Sequence, residues 1–387
     1  MKILLKNGTL YPMAGEVFSY KGDILVEDGR IAAIGESIDA PDAQVYDLTG
    51  LAVMPGLIDS HCHIGLFGTA MGDRGVDGNE NTSASTPHLR AIDSINPMDD
   101  EFEHAWKHGV TCVSTGPGSA NPICGQFVTM KTAGRMLDGR IMKEPAAMKM
   151  AFGENPKCAH NGQYPVTRMG TAAIIREQLQ KAIDYGRAIE RAEAEGRPAP
   201  DKNIQMEALL PVVRGELPVK AHAHRVDDIL TALRIAKEFG LDMSIEHCSE
   251  GQYICEELKE AHGVIIGPLI GFPHKLEVKN QTPEAGRVFY EAGIPFALMS
   301  DLPGMHVCDI IMSAGMCIRE GLPMEEAMRA LTITPAKFLK VDDRVGSLEV
   351  GKDADIVVFT ANPLEYVNAN CVMTLIDGNI LQDKREV

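Results

Sequence analysis

The stretch Pro55-Gly56-Leu57-Ile58-Asp59-Ser60-His61-Cys62-His63 sets the reading of the whole chain. An apolar run closes on two histidines one residue apart. Residues i and i+2 of a strand share a face, so the imidazoles of His61 and His63 can meet a single cation. Cys62, between them, points to the other face as a small apolar side chain. A His-x-His pair alone is a weak motif, so its weight depends on what the rest of the chain brings to the same place.

Working outward, seven further short runs read as strands: Val110 to Thr115, Phe127 to Thr132, Ala146 to Gly153, Pro218 to His224, Asp242 to Cys248, Gly263 to Ile270 and Pro295 to Asp301. Helical patterns lie between them. In one, Val226, Ile229, Leu230, Leu233, Ala236 and Phe239 follow a helical period and Gly240 stands where a helix stops. Strands alternating with helices predict a parallel sheet, and eight of them predict a (β/α)8 barrel with its active site at the C-terminal strand ends.

Both ends of the chain have a different texture. Asp23 to Ile31 and Gly346 to Phe359 are short β patterns broken by turn signals such as Asp28-Gly29. The expected organisation is α/β: a barrel over residues 55–342 and a small composite β-sandwich built from residues 1–54 and 343–387. A formal charge of −17 argues against nucleic acid and anionic membranes as partners. No window approaches the ~20 apolar residues of a membrane span. Nine scattered cysteines without a CxxC pair suit reduced thiols, so a cytoplasmic location is expected.

The strand ends carry the chemistry. The first ends in His61 and His63, the fifth in His222-Ala223-His224, the sixth in Glu246-His247 and the eighth in Ser300-Asp301. Imidazole nitrogen with carboxylate oxygen, and no thiolate, is the donor set of a catalytic zinc-type site. In the fourth run, Met148, Met150 and Phe152 share one face and Ala147, Lys149 and Ala151 the other. Facing the barrel interior, Lys149 would lose solvation and its pKa would fall. A neutral amine there can take up carbon dioxide as a carbamate; pairing with a carboxylate such as Asp301 is the alternative.

Together with Leu331-Thr332-Ile333-Thr334-Pro335-Ala336-Lys337 and the Gly346 to Asp355 run, these motifs resemble the metal-dependent amidohydrolase superfamily, in particular its imidazolonepropionase-like and prolidase-type (Xaa-Pro, Xaa-Arg dipeptidase) branch. The resemblance spans almost the whole chain. It implies that His61, His63 and Asp301 hold one divalent metal, most simply zinc, and that Lys149, N6-carboxylated, bridges to a second held by His222 and His247. Asp301 would also take a proton from the attacking water. His222 is preferred to His224 as the fifth-strand ligand, with His224 near the mouth as a substrate contact. Further substrate candidates on the loops are Arg225, Asn155, Lys157, Tyr164 and His306, with Arg225 or Lys157 placed to clamp a carboxylate.

The expected activity is hydrolysis of a C–N bond in a small molecule such as a dipeptide, N-acyl amino acid or cyclic amide, by a homo-oligomer. A single-metal deaminase or cyclic-imide hydrolase is the runner-up. A non-catalytic scaffold is disfavoured by the complete ligand set.

Overall fold

A computed structural model describes residues 2–68 and 72–385. Its larger sheet contains β1 (Leu57–Cys62), β2 (Val110–Thr115), β3 (Ile123–Lys131), β4 (Ile141–Ala151), β5 (Val219–Ala223), β6 (Met243–His247), β7 (Gly263–Ile266) and β8 (Phe296–Leu298), side by side in chain order. Residues of β1, β2 and β5 to β8 are buried throughout. Burial on both faces is what a sheet covered by helices on its outside requires, and the inward positions of β1, β5 and β6 carry polar side chains of the site.

The sheet curls until β8 returns to β1, and the seam is irregular. Near the site, Ser60 Oγ donates to the Leu298 carbonyl at 2.6 Å and the Asp301 amide donates to the His61 carbonyl at 3.1 Å. Farther along, the carbonyls of Leu331 and Ala330 accept from the amides of Ile58 (2.8 Å) and Leu298 (3.1 Å). The Leu331 to Lys337 motif thus begins where the chain plugs this gap.

The expectation of eight parallel strands with a helix after each needs one correction. β3 pairs antiparallel with both β2 and β4, while the other ladders are parallel. The links at 116–122 and 132–140 are too short for a crossover, which takes a dozen residues or more, so the chain turns back instead. The reversal carries Lys131 to the end of the barrel opposite Asp301 and brings the 116–122 loop up to the catalytic end.

Helices α1 (Asp100–Lys107), α2 (Arg168–Ala194), α3 (Val226–Phe239), α4 (Glu284–Glu291) and α5 (Ile310–Arg319) contribute apolar side chains to the same core as the strands. α3 matches the helical period expected of it: Ile229, Ala232, Leu233 and Ile235 are buried, and Gly240 closes it at φ 66°.

The second sheet draws on both termini. Ala52–Pro55 pairs antiparallel with Ile356–Phe359, joining strands Lys2–Leu10, Tyr20–Glu27 and Arg30–Gly35 to Cys371–Ile376 and Asn379–Asp383. Ile3, Leu5, Ile24, Val53, Ile356 and Leu375 form its own core. Lys131 of β3 ties the two sheets together. Its buried ammonium reaches Asp355 at 2.7 Å and Asp353 and Asp377 at 3.1 Å each. Burial pulls its pKa down, but the three carboxylates outweigh burial and hold it above the ordinary value.

Candidate metal centre

The alternation of β1 sends Asp59, His61 and His63 into the barrel. His61 Nδ1 lies 2.7 Å from Glu246 Oε2, and His63 Nδ1 lies 2.7 Å from the Gly116 carbonyl. Each Nδ1 therefore carries the proton it donates, and each Nε2 keeps its lone pair. Both Nε2 atoms face Asp301 Oδ1, at 3.6 Å from His61 and 3.3 Å from His63. These three residues form one compact ligand group.

His222, His224 and His247 form a second. Their Nδ1 atoms are engaged by Ser119 Oγ (3.0 Å), Ser249 Oγ (2.8 Å) and the Gly267 carbonyl (2.9 Å). Their three Nε2 atoms are buried without a hydrogen-bond partner. An orphaned buried polar atom costs about 1–3 kcal/mol, so three together fit a bound cation. Burial is the leading cause that keeps these imidazoles neutral: it drives the pKa values of His61, His222 and His224 well down and that of His247 to about 4. Neutral imidazole is the ligating form.

Lys149 stands beside both groups. It is fully buried, its Nζ is 3.2 Å from His61 Nε2, and desolvation lowers its pKa to about 8. The ring of Phe127, on β3, backs this corner, 5.1 Å from the His61 ring and 5.7 Å from the ammonium groups of both Lys149 and Lys220. Burial would raise the Asp301 carboxyl, but His247, His63 and Lys149 outweigh it and hold it at about 2.

Two strand ends use uncommon backbone. His247 has φ 68° and Asp301 φ 51°. In regular β6, Ser244 and Glu246 would face inward and His247 outward; the left-handed turn at His247 returns its ring to the cavity. Non-glycine residues in this region cluster at functional sites. Cys62 and Cys248 are buried and belong to neither ligand group.

A cavity of about 620 Å³ opens over both groups, lined by His63, His222, His224, His247 and Asp301 together with the segment after β7. Asn155 lines it too, but four other substrate candidates do not. Arg225 is paired with Asp227 at 3.0 Å, Lys157 is exposed, the Tyr164 hydroxyl donates to the Gly170 carbonyl at 3.2 Å, and His306 turns to Glu101 at 3.0 Å. In their place stands Lys275, whose ammonium reaches Asn155 Oδ1 at 3.0 Å and Glu277 Oε1 at 2.8 Å. Buried Glu277 stands 3.8 Å from Nε2 of both His222 and His224. Neither Lys275 nor Glu277 was legible in the sequence, because they sit in a segment without a regular period. Glu246 had a signal, its inward register two residues after Ser244.

A solved amidohydrolase from Thermotoga maritima MSB8 is similar to this chain with a TM-score of 0.95 and 41% identity, over 98% of this chain and 100% of its own. The chain belongs to the amidohydrolase superfamily. The pattern of the Amidohydrolase family matches residues 212–381. Amidohydrolase tasK of Hapsidospora irregularis is 31% identical over 391 aligned positions, which take in 92% of this chain; the chain spans 39% of that relative's length. An imidazolonepropionase of Thermoplasma volcanium is 25% identical over 392 positions, covering 95% of this chain and 92% of its own. Membership places the amidohydrolase among hydrolases of carbon–nitrogen bonds. Among the described residues, no helix is long and apolar enough to cross a membrane.

Proposed function

We propose that this amidohydrolase cleaves the amide bond of a small substrate, a dipeptide, N-acyl amino acid or cyclic amide, at a centre for two divalent cations, zinc foremost. The observation that carries the reading is the pair of ligand groups, His61, His63 and Asp301 on one side and His222, His224 and His247 on the other, meeting around buried Lys149 under one cavity. Divalent cations bound there would acidify a water and polarise the scissile carbonyl.

The chain's own residues supply the rest. His61 and His63 present Nε2 because Glu246 and the Gly116 carbonyl fix their Nδ1 protons. Lys149, as a neutral amine, adds to carbon dioxide and releases a proton, giving a carbamate placed to bridge the two groups. Asp301, ionised at neutral pH, accepts a proton from the attacking water and hands it to the leaving nitrogen. Lys275, held by Asn155 and Glu277 at the cavity wall, is the ammonium that a substrate carboxylate would meet there.

Two experiments test the reading. Elemental analysis should find about two equivalents of metal per chain at these two ligand groups, counted as the difference between the wild type and a variant carrying His63→Ala with His247→Ala; about one would favour a deaminase or cyclic-imide hydrolase. Asp301→Asn should lower turnover by about 10²–10⁴-fold or more on whichever of those substrate classes the wild type cleaves, with metal retained. Near-normal turnover would remove Asp301 from its role.

A further inference from the structure

A second set of metal-ligating side chains lies outside the cavity. His104 and His108 are one helical turn apart at the C-terminal end of α1, with ring centroids 4.4 Å apart. Positions i and i+4 share one helix face, the spacing by which two histidines reach a common cation. The His108 Nδ1 donates to the His104 carbonyl at 2.8 Å, which leaves Nε2 with its lone pair. Cys308, from the turn after β8, brings its Sγ to 3.8 Å from His104 Nδ1. Glu101, also on α1, stands 3.7 Å from His104 Nδ1.

At bond lengths of about 2.0 Å to nitrogen and about 2.3 Å to sulfur, ligand atoms on a tetrahedron stand about 3.3–3.8 Å apart. The two separations from His104 Nδ1, 3.8 Å to Cys308 Sγ and 3.7 Å to Glu101, stand at the upper end of that range, and the ligand atoms of His104, His108 and Cys308 all lie within 4.8 Å of one another. The set mixes two imidazoles, a thiol and a nearby carboxylate, a combination suited to zinc rather than to magnesium or calcium. None of the four residues lines the catalytic cavity.

We propose that His104, His108 and Cys308, with Glu101 beside them, form an additional zinc-type cation site that fastens the segment after β8 to α1. The Cys308 thiol releases its proton to solvent as the metal–sulfur bond forms. The place has a consequence for the main centre. Asp301, Pro303 and Gly304 face the cavity, and the same segment already grips α1 through His306 Nδ1 on Glu101 Oε2 and the Val307 amide on Glu101 Oε1, both at 3.0 Å. A cation at Cys308 pins the far end of the segment that presents Asp301.

The test is a cobalt(II) titration of the whole protein, followed in the near ultraviolet. Neither ligand group of the main centre includes a cysteine, so a thiolate-to-cobalt charge-transfer band arises outside it, and its loss in Cys308→Ser assigns it to Cys308. The wild type should develop that band and retain, after gel filtration, one more equivalent of cobalt than Cys308→Ser. His108→Ala, at an exposed position whose loss leaves the core intact, should weaken the band-forming step at least tenfold while turnover with substrate-site metal persists. Absence of the band in the wild type, equal cobalt content in wild type and Cys308→Ser, or unchanged affinity in His108→Ala would each overturn the proposal.

Discussion

The surroundings of Lys149 set how readily its ammonium gives up a proton. An ordinary lysine titrates near 10.4 and offers almost no neutral amine at neutral pH; desolvation brings Lys149 to about 8. If the amine captures carbon dioxide, metal-depleted protein should regain activity on adding zinc with bicarbonate, and the rate should climb as pH passes about 8, where the ammonium gives up its proton. Recovery that ignores bicarbonate, measured by initial rates across that range, would refute the carbamate. Glu246 acts one bond farther out. Replacing it with Gln weakens the 2.7 Å hold on His61 Nδ1, and metal affinity should fall by about 10–100-fold in competition with a chromophoric chelator. Strand alternation made Lys149, His61 and His63 legible from the sequence alone. His247 and Glu246 are adjacent and both serve the centre, which a period of two forbids; only the left-handed backbone at His247 reconciles them.

Reversal of β3 changes what the barrel offers its site. Its C-terminal end is lost to the catalytic face, but its preceding loop supplies the Gly116 carbonyl for His63 and the Ser119 hydroxyl for His222. Its Phe127 fills the corner behind His61, so tightly that a Cβ on Gly116 would run into the ring. Phe127→Ala should therefore cost about 3–5 kcal/mol in urea unfolding and loosen the His61 ring that the phenyl group supports. A loss below about 1 kcal/mol would show that the corner collapses without harm. The run Phe127 to Thr132 was legible as a strand because it gathers aromatic and β-branched residues. Its direction was not, since period-two patterning is the same read either way and only the short connections on each side decide it.

At the scale of the molecule, two sheets are held together by a buried charge cluster. Lys131→Met would leave buried Asp355 without its cation, while Asp353 keeps Arg344 at 2.7 Å, and breaking a buried pair on one side costs about 3–5 kcal/mol. Denaturant unfolding of the metal-loaded protein should show that loss, and a variant as stable as the wild type would mean the carboxylates protonate or separate freely. The run Lys352-Asp353-Ala354-Asp355 and Lys131 are more than two hundred residues apart, so nothing local in either announces the other. What the sequence alone determined are features written in nearest neighbours: eight apolar runs, the helical stripe ending at Gly240, and the histidines and aspartate at the ends of strands. Tertiary structure decided what depends on closing long loops: the reversed strand, the meeting of five histidines and Asp301 near Lys149, and the charge cluster that seats one sheet on the other. Those contacts exist only once the barrel closes, because burial, not spacing, disfavours the charged forms of His61, His222, His224, His247 and Lys149, and closure brings these groups to one place.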